Sequence, residues 1–193
     1  MFSLKECIER LESDLREIPS RISVHHDLPF AILRYEPGDE WELRREVKLL
    51  ATRLETSGRD VQVIPMATFL WQAIGDTEGL DQVVALERSR GYVQAQEQVT
   101  TYLSDLDWRP LANMLSERLA ALAPDNSIAF LTRVAAMAPG IYHMSALLDQ
   151  MQGRCRVTTV LFYPGSLEGT TLLRFMNQKD RDALGNYRVK IYG

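Results

Sequence analysis

Apolar residues first recur with a helical period. Leu4, Ile8, Leu11, Leu15 and Ile18 share one face, which predicts a helix from Ser3 to Ile18. Ser3 followed by Glu6 has the spacing of a capping box, and Pro19 stops the helix. Ser20 to Pro29 reads as an irregular connection. Phe30 to Tyr35 is almost continuously apolar, the pattern of a strand inside a sheet. Pro37 and Gly38 turn the chain. Asp39 and Glu42 give a second capping-box signal, with aspartate as the cap. Leu43, Val47, Leu50 and Leu54 then mark a helix face that ends at Ser57 and Gly58. Val61 to Ile64 is a second strand. Strand, amphipathic helix and strand make a βαβ unit, which implies parallel pairing and a right-handed crossover.

From Met66 to Leu122 the helical period dominates. Phe69, Leu70, Ala73 and Ile74 mark one helix, and Leu80, Val83, Val84 and Glu87 a second. Val99, Tyr102 and Leu103 mark a third, and Leu111, Met114, Leu115, Leu119 and Leu122 a fourth with Pro110 near its start. This span is too long for a simple crossover and reads as a helical insertion on one side of the sheet. Strands return at Ser127 to Thr132 and Val157 to Tyr163, separated by a helix from Met144 to Met151 that Gly153 ends. Asn186 to Tyr192 alternates apolar with charged residues, so one face is wet or the strand lies at an edge. The expected fold is α/β: a three-layer, mostly parallel sheet of about five strands flanked by helices. The expected organisation is one domain over residues 1–193, with the insertion at 66–122 between strands two and three.

The 193 residues suit one domain and, at 46% hydrophobic, can fill a sizeable core. No apolar run approaches the ~20 residues that span a bilayer. The first residues lack the basic-then-apolar order of a secretory signal, so the expected location is cytoplasmic without membrane contact. Cys7 and Cys155 are the only cysteines and fit neither a disulfide framework nor a metal-site spacing. The net charge of −4 argues against DNA binding by the isolated chain. That charge is uneven. Residues 153–193 carry seven Lys/Arg against three Asp/Glu, while the rest of the chain is acidic. This is either a polarised face for an oppositely charged partner or ordinary strand and loop charge.

The strand from Val157 to Tyr163 runs into a glycine-bearing segment, Pro164 to Thr171, which reads as an exposed loop. A phosphate-cradling loop needs four residues between its glycines, then Lys and Ser/Thr. Here three residues separate Gly165 from Gly169, no lysine follows, and Glu168 places negative charge where phosphates would sit. The loop after the first strand is acidic. Glu36, Asp39, Glu40 and Glu42 are carboxylates of the kind that hold Mg²⁺, but acids in a first helical turn more simply favour the helix dipole. His25, His26 and His143 have no ligand or nucleophile spacing around them, and Ser145 and Ser166 lack a nucleophile elbow. Arg133 follows the third strand directly. That is the carboxyl end of an open sheet, where such folds bind ligands; a salt bridge to a nearby acid is its plainer role.

Several blocks together resemble one family. They are Leu28 to Pro37, Glu42 to Glu46, Phe130 to Arg133, Met144 to Leu148 with Gln152 and Gly153, Val160 to Gly165 with Leu167 to Gly169, and Asn186 to Tyr192. In order and wording they resemble BrxB, a small component of bacterial BREX (bacteriophage exclusion) systems. The likeness is most specific in the last third and weakest from Gly75 to Asp125. It implies a cytoplasmic anti-phage protein encoded with a site-specific DNA methyltransferase, a large ATPase and the alkaline-phosphatase-like protein PglZ. It implies an assembly subunit with PglZ as direct partner and the other components as further, indirect ones. It supplies no catalytic residue, cofactor or metal. The residues expected to face a partner are Arg133, Tyr163, Pro164, Gly165 and Glu168. A degenerate nucleotide-binding regulatory subunit and a DNA-contacting subunit of the same system are the alternatives.

Overall fold

The computed structural model describes residues 2–22, 28–138, 140–179 and 183–193. Helix α1 (Leu4–Arg16) leads into strand β1 (Phe30–Tyr35), and a 3-10 turn (Pro37–Asp39) starts helix α2 (Glu40–Thr56). Strand β2 (Asp60–Pro65) is followed by α3 (Met66–Asp76), α4 (Leu80–Arg90), α5 (Tyr92–Ser104) and α6 (Leu111–Ala120). Then come β3 (Ser127–Thr132), α7 (Met144–Met151), β4 (Thr158–Glu168), β5 (Leu172–Phe175), β6 (Leu184–Asn186) and β7 (Lys190–Tyr192). The main sheet has the order β2-β3-β4-β1-β7, and every pair in it is parallel. The fold is α/β with a mostly parallel sheet between helical layers.

Strand alternation explains the two layers. Ala31, Leu33 and Tyr35 of β1 face α1 and α2, whose Ile8, Leu11, Leu15, Leu43, Val47, Leu50 and Leu54 complete one core. Phe30 and Ile32 face the other way, into a larger core built with α3, α5, α6 and α7. Both sides of the central strands are therefore dry, as their continuous apolar runs require. Each fully buried Leu, Ile or Phe stabilises the fold by ~1.5–3 kcal/mol. Helix α4 buries no side chain and lies against α5.

The structure departs from the periodicity in five places. Helix α1 stops at Arg16, and Ile18 is 73% exposed. Ile18 precedes Pro19, and the ring disfavours helical backbone at the residue before it. The capping box at Ser3 and Glu6 does form, with Ser3 N–H donating to Glu6 Oε2 at 2.7 Å and Glu6 N–H to Ser3 Oγ at 3.3 Å. Asp39 makes no side-chain cap; the 3-10 turn has already curled its backbone (φ −90°, ψ 8°), which removes the extended geometry a cap needs. Strands β1 and β2 do not pair, because β4 and β3 lie between them. The segment after Tyr163 is not a loop. It continues as strand and turns into an antiparallel ribbon with β5, pairing Gly165 with Phe175 and Glu168 with Leu172. Finally, the last alternating stretch splits: β6 pairs with β5 in the ribbon, and β7 lies at the sheet edge beside β1. Buried Tyr187 lies at the break, its N–H donating to Thr171 O at 2.8 Å.

Candidate partner-binding groove

In an open parallel sheet, ligands bind beyond the carboxyl ends of the strands, where neighbouring strands send their connections opposite ways. Here that point lies between β1 and β4. The chain leaving β1 runs through α2 to the far edge at β2, and the chain leaving β4 runs to the opposite edge at β7. The ribbon occupies this position. Gly165 (φ 151°) makes the bend possible, and a Cβ there would lie 1.9 Å from Arg174 O. Met176 N–H donates to Pro164 O at 2.9 Å. Tyr163 anchors the ribbon on the sheet, with ring centroids 5.6 Å from Phe175 and 5.4 Å from Tyr187.

The acidic loop after β1 is tied into the same closure. Glu36 accepts from Arg34 Nη1, and its other oxygen accepts from Asn177 Nδ2 at 3.1 Å. Glu40 accepts from Tyr35 Oη and from Arg44 Nε at 2.7 Å. Burial, with the Glu40 carboxylate beside it, pushes the Tyr35 phenol well above its ordinary range. Two of the four carboxylates considered as Mg²⁺ ligands are thus engaged by protein donors. No group of three or more metal-ligating side chains occurs among the described residues.

An open surface lies further along the carboxyl edge, between α2 and β2. A cavity of about 510 Å³ is lined by Trp41, Arg44, Arg45, Lys48, Val63 and Arg133, with Glu40, Leu43, Val47, Pro65 and Thr132 completing it. Trp41, Arg44, Arg45 and Lys48 have the i, i+3, i+4, i+7 spacing of one helix face, next to the buried stripe of α2. The Arg44 guanidinium lies 4.6 Å from the centroid of the Trp41 ring, yet Trp41 remains 77% exposed. Val63 faces the α2 side of the sheet but lies on the edge strand, 46% exposed. Arg133 enters at the end of β3 with left-handed backbone (φ 54°). Among the described residues, Arg45, Lys48 and Arg133 make no ion pair within 4 Å. The surface is therefore apolar at its centre and cationic around it.

The five residues expected to face a partner are not brought together. Arg133 is exposed in this groove. Tyr163, Pro164 and Gly165 are buried beneath the ribbon, and half-buried Glu168 accepts from Arg174 Nε within it. The exposure expected from a loop is absent because β4 continues. The groove residues of α2 escaped the periodicity argument, which follows the buried stripe; a tryptophan one helical turn before two arginines was the available signal. His143 is exposed ahead of α7, and His25 and His26 lie outside the described residues. Cys7 and Cys155 are free and buried, and burial pushes both thiols up. No helix is long and apolar enough to cross a membrane among the described residues.

Arg174 pairs with Glu168, Lys190 with Asp14 at 2.6 Å, and Arg154 donates to Asn113 Oδ1 at 2.6 Å.

The family model for BREX protein BrxB matches residues 62–191, about two thirds of the chain. The chain belongs to the BrxB family. It is accordingly a component of a BREX phage-defence system. No curated protein and no solved structure matches it. The BrxB match takes in most of β2, the helices α3 to α7, β3, β4, the ribbon and most of β7, but not α2. In this BrxB-family chain the groove joins matched residues, Val63 and Arg133, to unmatched ones, Trp41, Arg45 and Lys48.

Proposed function

We propose that the chain is a non-catalytic assembly subunit of a BREX complex and engages PglZ directly through the α2–β2 groove. One observation carries this reading: an exposed tryptophan and valine lie among three cations that have no acidic partner among the described residues, at the carboxyl edge of the sheet. Exposed apolar surface framed by uncompensated charge suits a protein partner with an acidic rim and an apolar contact. Tryptophan and arginine are also the side chains on which binding energy concentrates. The ribbon supports the reading from the other side, because it fills the crevice where a nucleotide would otherwise lie. In this arrangement Tyr163, Pro164 and Gly165 hold the frame, Glu168 fixes the ribbon through Arg174, and Arg133 touches the partner. The other BREX components are reached through PglZ.

Co-expression with cognate PglZ and affinity purification test it. A complex should form at micromolar concentrations with the unaltered chain. Trp41→Ala and Arg133→Glu, both at exposed positions, should each weaken it ~10-fold or more while leaving the fold intact. If the unaltered chain recovers no PglZ, direct partnership is wrong. If PglZ binds and both variants bind equally well, the partner lies on another face.

A further inference from the structure

At the opposite end of the sheet, where the strands begin, lies a second cavity of about 650 Å³. Arg59, immediately before β2, lines it and is only 6% exposed. Its Nη2 donates to Ser20 Oγ at 3.1 Å, but its Nε and Nη1 are buried with no hydrogen-bond partner among the described residues. A guanidinium cannot shed its charge, so two buried nitrogens whose N–H groups have no acceptor are costly. Burial acts on Arg59 in that direction, lowering its pKa. Arg156 lines the same cavity, is exposed, and makes no hydrogen bond or ion pair among the described residues. On the same wall Thr158 Oγ1 donates to Ser20 Oγ at 3.4 Å, so the Thr158 proton is engaged and the Ser20 hydroxyl is the donor left to face the cavity.

We propose that this cavity is an oxyanion site whose ligand is the phosphate group of a small phosphorylated molecule. The donor set decides the class. Two guanidiniums and the Ser20 hydroxyl offer more donors than a planar carboxylate accepts, and they suit the several oxygens of a phosphate. Arg59 is already held in place by Ser20, so its two idle donors are preorganised. The cavity also contains Asp125, exposed at the rim, and the apolar surfaces of Ile18, Ile22, Pro19, Pro29 and Pro124. A bare anion makes no use of an acid and an apolar wall. A phosphate ester carrying an organic group with its own donors uses both. The site is distinct from the groove and does not depend on PglZ binding. It is also unrelated to any loop at the carboxyl ends of the strands.

The test is titration of the full chain with inorganic phosphate, adenosine monophosphate and glutarate, by calorimetry and by following arginine Nε–H resonances. Saturable binding of phosphate or the monophosphate, with a shift of the Arg59 Nε–H signal, is expected. Arg156→Gln alters an exposed residue and should weaken binding ~10-fold; Arg59→Gln should abolish it. Tighter binding of the monophosphate than of inorganic phosphate identifies an organic phosphate as the source, and equal binding identifies free phosphate. If Arg59→Gln does not fold, Arg156→Gln decides alone. Three results would overturn the proposal: no saturation by either phosphate at tens of millimolar, glutarate binding at least as tightly, or phosphate binding unaffected by Arg156→Gln.

Discussion

Gly165 is the residue on which the carboxyl edge turns. Its φ of 151° and the 1.9 Å approach of Arg174 O to a notional Cβ leave no room for a side chain against backbone. A flexible neighbour could swing aside; a carbonyl in a paired ribbon cannot without breaking the β4–β5 register. Gly165→Ala should therefore destabilise the protein by about 3 kcal/mol or more, read as a lowered denaturant midpoint. A loss under 1 kcal/mol would mean that the ribbon reshapes at little cost. Tyr163 next to it is the ring that Phe175 and Tyr187 meet edge to face, and burial pushes its phenol upward. The glycine and the tyrosine stand out in the sequence. Their burial does not, because Pro-Gly usually announces a turn, and only the pairing with β5 makes it a bend within a strand.

Among the elements, β7 is the least secure. It is three residues long, pairs on one side only, and lies at the edge beside β1. Asp14 of α1 holds it, accepting from Lys190 Nζ at 2.6 Å and Tyr192 Oη at 2.5 Å. Burial alone would raise the Asp14 pKa, but hydrogen bonds from Lys190 and Tyr192 outweigh it and hold the carboxyl below its ordinary value. A carboxylate lowered in the folded state stabilises at pH above the unfolded value, ~3.9 for aspartate, and loses that contribution as pH falls through the folded value. Asp14→Asn should cost about 1 kcal/mol near neutral pH, discounted for partial exposure, and the gap to the unaltered chain should close below about pH 4. Urea melts at several pH values measure both. A gap that is the same at pH 3 and pH 7 would remove the ion pair from the account. The edge position of this strand was legible in its alternation of charge and apolarity. Its partner on α1 was not, because 176 residues separate Asp14 from Lys190.

For the whole molecule, net charge and local charge have different consequences. The chain carries −4 overall, yet its groove has three cations, Arg45, Lys48 and Arg133, that make no ion pair among the described residues. A partner with an acidic rim should associate faster at low salt than the net charge suggests. Between about 50 and 500 mM salt the association rate with PglZ should fall ~10-fold or more, with a smaller change in dissociation. Surface plasmon resonance at several ionic strengths measures this. A flat association rate would place the contact on neutral surface. The basic excess of residues 153–193, conspicuous as a sequence feature, contributes less because folding gives Arg174 and Lys190 acidic partners.

Local physics sufficed for much of the protein. Helical period, strand runs and the Ser3–Glu6 cap placed most elements, because burial of one face is a property each element carries in its own residues. The blocks that resemble BrxB were legible separately, as a likeness in the order and identity of their residues. What tertiary structure alone decided was adjacency: β4 and β3 between β1 and β2, the ribbon over the β1–β4 crevice, and Trp41 beside Val63 and Arg133. It also decided which polar groups were left without partners, as at Arg59. Hydrophobic periodicity says which face of an element goes inward, but not which element it meets there. Binding surfaces are made by those meetings, between residues far apart in the chain.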